Sequence, residues 1–519
     1  MSSGGEATIT GPLEDYAFLS DPDSAEVFIV ERDGQVRQWV EEEAPGHIPD
    51  RRKAILPNLF NWQELLPGHC TWQWLDGYLP VLIITSEQGP EIQLLALADR
   101  LLLNLLGGVF EYPGGRTLDQ QCFASALAKI RRHWQAFFAS GRQLPAVTPR
   151  LDAAWKSAFV QTLSSCTGRC PHYGIEHYNC FVHDSFPPAI LALVSALRQF
   201  EHFDLARKHL AFYLQRYICA DGTIDYYGPA ISEYGQLLQL LAEMSQDPDG
   251  QDFLREQLAV ATRMLYYLFR LINQRMWQKN SPYRLMAGSP EADTRNDQDE
   301  YLHNNFWVQR GLSSISPCLS ELAPELAGEC RRMAAILARR LQKAVADLEA
   351  KFGLLGYRVQ QRGRIRDFTG DLDYAYANYR YYPEMLGSGL LTPEQARRFV
   401  QDRQQYGGNF AGNTVLTWPG LPRCLDNWPI AEYARGLLEI GAREEFFQIL
   451  SGHFRYHQTQ DTYTAYEMVL CEGNPRRAFS DWCVPCQLVI PRLLGWSYAY
   501  RRYDGTVLHW GGPSPRDFG

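Results

Sequence analysis

A chain of 519 residues exceeds the roughly 100 to 200 of a single domain, so it holds either several domains or one large ring of helices. Its net charge of −9, without a Lys/Arg cluster long enough to follow a phosphate backbone, argues against a nucleic-acid partner. The longest apolar run, around Leu101 and Leu106, is broken by Asp99, Arg100 and Asn104 and falls short of the roughly 20 residues a membrane span needs.

The first stretch reads as β-rich. Residues 25–40 alternate apolar and polar side chains on both sides of Asp33-Gly34, a hairpin signature, and residues 79–85 (LPVLIIT) fit a short buried strand. Residues 95–106 and 118–140 are expected to be helices leading into the main body. The segment before Gly11 has neither the positive nor the apolar part of a secretory signal. A cytoplasmic protein is therefore expected, or a secreted or periplasmic one if a signal peptide was removed. The twelve cysteines are spread thinly, which suits a reducing compartment. Cys166/Cys170 and Cys483/Cys486 have loose spacing for four zinc ligands, so no metal and no cofactor is expected.

From about Pro149 the pattern becomes amphipathic helices. Twelve are expected, starting near Leu151, Pro188, Asp204, Pro229, Asp252, Leu302, Leu322, Asp373, Thr392, Asn427, Arg443 and Ser480. Thr392-Pro393 is an N-cap followed by a first-turn proline. The loops alternate: those before Pro188, Pro229, Leu302, Asp373, Asn427 and Ser480 are long and rich in polar and aromatic residues, and the others are mostly short. Six helical hairpins in a ring would give that alternation, with the long loops gathered at one end. The expected division is a β-rich region at 1–110, a linker helix at 111–148 and a helical barrel at 149–519.

The long loops carry the candidate chemistry. Residues 171–187 hold Tyr173, Glu176, His177, His183 and Asp184 just before a helix N-terminus, where ligands and anions are readily bound. Residues 221–233 bring Tyr226, Tyr227 and Glu233. Residues 288–312 crowd Glu291, Asp293, Asp297, Asp299 and Glu300, followed by His303, Asn305 and Trp307; carboxyls among like charges are raised toward general-acid duty. A solvated acidic loop or a calcium site are the other readings of that cluster. Asp373 lies in a tyrosine-rich stretch, Asp426 between Trp418 and Trp428, and Glu467 in TAYE, with Asp481 and Trp482 before the closing helix. Aromatic faces with carboxylates suit a ligand of alternating CH and OH surfaces, a carbohydrate.

In the order of these segments, DGTIDYYGPAISEYGQLL, GSPEAD with DEYLHNNFWVQRGL, and TAYE followed by DWCVPCQLVIPRLL, the chain resembles the six-hairpin glycosidase superfamily over residues 150 to 500. That superfamily includes glucoamylases, trehalases and debranching-type glucosidases. The resemblance implies a mainly α fold, an (α/α)6 toroid with a smaller N-terminal β-rich region, acting as a monomer or small homo-oligomer on carbohydrate. It implies a glycoside hydrolase of the inverting type, with the general acid among Glu291, Asp293 and Asp299, Glu467 as general base and Asp481 in reserve. Phosphorylases, which would need a basic pocket from Arg295, Arg310 or Arg423, and lyases, which would use a Tyr/His pair such as Tyr173 and His177, share the barrel. A non-catalytic carbohydrate-binding protein is the reading from another class.

Overall fold

The computed structural model of the protein describes every residue except 1–8, 23, 25, 43–49, 56–65, 67, 113, 167–171, 176–180, 227–230, 275–280, 290–297, 354, 362–369 and 519, and only the backbone of 39–42, 50–55 and 181–182. Its N-terminal part is a pair of antiparallel sheets. The first contains β1 (Ala17–Leu19), β2 (Val27–Val30), β3 (Val36–Glu42) and β4 (Asp50–Ile55); the second is a six-stranded meander comprising β5 (Cys70–Leu75), β6 (Leu79–Ser86), β7 (Glu91–Leu97), β8 (Arg100–Leu105), β9 (Gly108–Tyr112) and β10 (Thr117–Leu118). Val30 pairs with Val36 across the predicted hairpin. Its loop closes with the Glu31 amide donating to the Gln35 carbonyl at 2.8 Å, and Gly34 takes φ 88°, a left-handed conformation that glycine adopts without a Cβ clash.

Residues 95–106 are not the expected helix. They fall in β7 and β8, turned at Ala98 with φ 53°. Ile92, Leu94, Leu101, Leu103 and Leu105 fill the space between the sheets, whereas Leu95 and Leu102 join the core that includes Phe123, Ala126 and Ile130 of helix Gln120–Ser140. A sheet buried on both faces has no polar alternation to mark it, and the helix preference of leucine is a weak prior that packing overrides.

The rest is the predicted barrel. Helices Pro187–Gln199, Ser232–Met244, Leu302–Cys318, Tyr382–Gly387, Ile430–Ile440 and Val489–Tyr498 each pack on the next, and the last packs on the first, closing an inner ring. Pro149–Ser165, Phe203–Tyr217, Leu258–Asn273, Pro324–Phe352, Pro393–Gln405 and Arg443–Gly452 form the outer layer. The contrast between layers shows in two helices: Pro187 to Leu197 are buried all round the inner helix, while the outer Pro324–Phe352 buries a stripe of Leu326, Cys330, Met333, Leu337, Leu341 and Leu348. Nine of the twelve predicted starts fall within three residues of these helices, whereas those near Asp252, Asp373 and Ser480 precede Leu258, Tyr382 and Val489 because the short helical segments Gly250–Glu256, Leu372–Tyr376 with Ala377–Tyr381, and Val484–Gln487 come first. Leu302 and Arg443 are first residues, and Thr392 caps its helix by accepting from the Gln395 amide at 3.2 Å while Gln395 Oε1 accepts from the Thr392 amide at 3.0 Å.

Glycine sets one ring contact. A Cβ on Gly235 would meet the Trp307 carbonyl carbon at 2.2 Å, and one on Gly311 would meet the Gly235 oxygen at 2.5 Å, so Ser232–Met244 and Leu302–Cys318 touch backbone to backbone. All six inner helices begin at the same end, after the long loops.

Candidate active site

The last long loop doubles back before the closing helix. Tyr466 bridges Trp482, the Glu467 amide donates to the Asp481 carbonyl at 2.8 Å, and the Trp482 indole donates to Gln487 Oε1 at 2.8 Å. His457 Nε2 lies 2.6 Å from the Tyr466 carbonyl, and burial pushes this imidazole down to about 3, so it donates as a neutral ring. The backbone at Glu467 is thus held from two sides. Its side chain is half-buried, and Tyr173 Oη donates to its Oε2 at 3.2 Å.

Beside it, strand Met468–Leu470 pairs with Cys424–Asp426, Asp426 standing opposite Met468. Burial raises the Cys486 thiol, Cys483 adds to the effect, and the charges of Asp426 and Glu467 both contribute, so these carboxylates share one neighbourhood. The small sheet that carries them was not read from the sequence.

From Tyr173 an aromatic belt crosses the N-terminal ends of the inner helices. Tyr173 packs against Phe186 with centroids 5.3 Å apart, Phe186 against Tyr226 at 5.1 Å and Trp428 at 5.4 Å, and Trp428 against Tyr379 at 6.1 Å. Tyr379 meets Tyr376 at 4.8 Å; Tyr376 meets Trp418 at 6.3 Å and Tyr381 at 6.1 Å, and Tyr381 meets Tyr301 at 5.2 Å. Each segment lies just before an inner helix. His183, stacked on Tyr173 at 6.0 Å, Tyr226 and Trp418 are the half-buried members that reach solvent.

The far end of the belt is acidic. Asp299 is buried, with Oδ2 3.7 Å from Arg358 Nε, and Arg358 Nη2 also sits 2.9 Å from Asp373 Oδ2 while its Nη1 donates to Tyr301 Oη at 3.3 Å. Tyr357 donates to the same Asp373 oxygen. Arg358 therefore gathers two carboxylates and a phenol at this end, a role that no local motif announced. Burial pushes the neighbouring Glu300 carboxyl up. Glu176, His177, Tyr227, Glu291 and Asp293 lie outside the described residues.

Several expected contact residues are enclosed instead. Glu233 is fully buried and pairs with Arg380, which also sits 3.3 Å from Glu384 and 5.4 Å from the Trp428 ring centroid. His303 is equally buried and stacks on Tyr381 at 5.0 Å. Asn305 donates to the Met286 carbonyl at 3.0 Å and accepts from its amide at 2.9 Å, pinning the loop ahead of its helix. Trp307 and Trp482 are core side chains. Asp184 pairs with His172 at 2.8 Å, both buried. Asp481, the reserve base, accepts from Tyr16 Oη at 2.6 Å in a buried position. Asp426 and Trp428 are enclosed to the same degree. A buried charge gives no local signal in sequence, so polar residues near helix starts could not be sorted into contact and support.

At the opposite end a cavity of about 450 Å³ is lined by Arg198, Glu243, Asp247, Arg310, Arg435 and Trp496 among others. Arg198 pairs there with Glu243 at 2.7 Å and Asp247 at 2.5 Å. Arg310, considered for an anion pocket at the site, donates to the Ser388 carbonyl at 2.7 Å at this far end. Among the described residues there is no cluster of three His, Cys, Asp or Glu able to hold a metal, and no helix long and apolar enough to cross a membrane.

No protein-family profile and no curated protein matches the chain. Among solved structures it is similar to a bacterial glucoamylase complexed with acarbose, with a TM-score of 0.58 at 8% identity over 96% of this chain and 95% of that one. A rhamnosidase from Klebsiella oxytoca with rhamnose bound aligns with a TM-score of 0.47 at 13% identity, over 92% of this chain and 88% of that one. Coverage in the glucoamylase comparison takes in the β region as well as the barrel, so the architecture is shared from end to end. The chain has the fold of the six-hairpin glycosidases, an (α/α)6 barrel preceded by a β domain.

Proposed function

We propose that the protein is a glycoside hydrolase that cleaves an oligo- or polysaccharide with inversion, Glu467 acting as general base and a carboxyl of the 291–299 loop as general acid. One observation carries this reading: Glu467 and Asp299 stand at the two ends of one aromatic belt that runs over the N-terminal ends of the inner helices. Sugar CH faces stack on such rings, and hydroxyls bond to the carboxylates between them. Inversion needs one carboxyl to protonate the leaving oxygen and another to activate water on the opposite face. Tyr173 holds Glu467 in place by donating to its Oε2. The glucoamylase of like fold holds acarbose, a ligand of the class this belt suits.

The lyase rival loses support from the same contacts, and the phosphorylase rival loses one of its three arginines. A lyase would use a free phenol, and Tyr173 commits its hydroxyl to Glu467. A phosphorylase would need a basic pocket beside the belt: of its three candidates Arg310 lies at the other end of the ring, Arg295 lies outside the described residues, and Arg423 adjoins the strand Cys424–Asp426. The division into a β-rich region at 1–110, a linker helix at 111–148 and a catalytic barrel at 149–519 belongs to the same proposal.

A panel of aryl glycosides and polysaccharides tests the reading. Wild-type protein is expected to hydrolyse at least one, and Glu467→Gln to lose about 10² to 10⁴ in rate with its fold intact. Binding of sugars without turnover by the wild type would identify a carbohydrate-binding protein instead.

A further inference from the structure

The segment at 11–16, ahead of the first sheet, lies along the loop that carries Glu467. The Arg476 amide donates to the Pro12 carbonyl at 2.8 Å, the Glu14 amide to the Arg476 carbonyl at 3.1 Å, and the Ala478 amide to Asp15 Oδ2 at 2.9 Å. The contact ends at Tyr16. Its hydroxyl donates to Asp481 Oδ1 at 2.6 Å and accepts from the Trp482 amide at 3.0 Å, while its carbonyl accepts from Tyr466 Oη at 2.9 Å. The Tyr16 and Tyr466 rings meet edge to face at 5.3 Å. Tyr16 and Asp481 are both buried.

These bonds converge on one piece of backbone. Asp481 and Trp482 form the strand-like stretch against which Tyr466 and Glu467 are registered, through the Tyr466–Trp482 bridge and the 2.8 Å bond from the Glu467 amide to the Asp481 carbonyl. Tyr16 thus touches both sides of that pairing, its hydroxyl the 481–482 side and its carbonyl and ring edge the Tyr466 side. We propose that Tyr16 is a positioning residue for Glu467, so that the N-terminal β region is a working part of the active site rather than a separate module. The inference rests on Glu467 being the general base. Tyr16 touches no reacting atom; it acts through Asp481, Trp482 and Tyr466.

Phenylalanine at this position would remove one partner from the buried Asp481 carboxylate and another from the Trp482 amide, and a charge-assisted bond is among the stronger ones to lose. A reacting group displaced by about 1 Å can cost on the order of 100-fold in rate. The β region makes a second buried bond to the barrel away from this loop, from Ser20 Oγ to the Ser164 carbonyl at 2.8 Å, which provides a control.

The test uses the full chain and three variants: Tyr16→Phe, Asp481→Asn and Ser20→Ala. Tyr16→Phe is expected to lower kcat about 10- to 100-fold with KM within about twofold of wild type. Amide hydrogen exchange at Glu467 and Trp482 should speed up in the same variant. Asp481→Asn, which keeps the size and an acceptor, should lower kcat in the same direction, and it replaces the first variant if Tyr16→Phe does not fold. Ser20→Ala should keep kcat. Unchanged exchange at Glu467 in Tyr16→Phe, or equal losses of kcat in Tyr16→Phe and Ser20→Ala, would overturn the proposal. Full activity of Glu467→Gln alongside faster exchange in Tyr16→Phe would instead overturn the role of Glu467 as base, and with it the catalytic meaning of these contacts.

Discussion

Tyr173 and Glu467, 294 positions apart in sequence, meet through a 3.2 Å hydrogen bond from the phenol to the carboxylate. The bond joins the first long loop of the barrel to the last, which closure of the ring makes adjacent. It also gives the carboxylate an orientation, with Oε2 held by the phenol.

Replacing Tyr173 with phenylalanine should therefore lower kcat by about tenfold or more, since a hydrogen bond to a charged group contributes about 1.5 to 3 kcal/mol. Steady-state kinetics on whichever substrate the panel identifies would measure it. A variant as fast as wild type would separate Tyr173 from the chemistry.

Arg380 stands between Glu233 and Glu384, all three fully buried. Arg380→Met would strip Glu233 of its buried counter-charge, while Glu384, which burial already pushes up to about 8, would hold its proton more firmly. A loss of about 3 to 5 kcal/mol is expected in urea unfolding, because breaking a buried pair leaves one charge uncompensated. The double variant with both glutamates changed to glutamine should recover part of that loss.

Acid should loosen the loop that holds Glu467. Burial lowers His457 from its ordinary 6.5 to about 3, so the folded protein keeps the ring neutral where the unfolded chain takes up a proton. His453, stacked on it at 4.9 Å, is lowered for the same first reason. A depressed imidazole contributes stability that is whole above 6.5 and declines as pH falls from there toward the folded value. Each such group gives a slope of up to about 1.4 kcal/mol per pH unit. Urea midpoints measured between neutrality and about pH 4 should show this decline, and His457→Gln, whose side-chain amide can still donate to the Tyr466 carbonyl, should make it shallower.

Gly311→Ala would place a methyl group 2.5 Å from the Gly235 carbonyl oxygen. Neither helix can yield without opening the ring, so a loss of about 1 to 3 kcal/mol and a lower Tm are expected. Alanine at the exposed Gly353 meets no neighbour within 4 Å but carries a φ of 68°, so its smaller cost would be one of backbone strain alone.

How much of this was legible in sequence depended on distance along the chain. Helix starts were readable because caps are local: Thr392, Pro393 and Gln395 form their box within four positions. The alternation of long and short loops then implied which helix ends come together. Leu95 in β7 and Leu102 in β8 misled because both strands bury side chains on both faces of the sheet. Arg380, Arg358 and Tyr16 were missed for a different reason. Each has a partner far away in sequence, Arg380 reaching Glu233 across 147 positions, Arg358 reaching Tyr301 across 57 and Tyr16 reaching Asp481 across 465, and nothing near them says that they are buried.

The most direct measurement is proton NMR of the first sugar released by the wild-type protein, recorded before mutarotation equilibrates the anomers. With Glu467 activating water on the face opposite the general acid, the first-formed anomer should have the configuration inverted from that of the cleaved bond. Release of the retained anomer would mean that a carboxylate attacks the sugar directly, and it would contradict the assignment of Glu467 as a base acting through water.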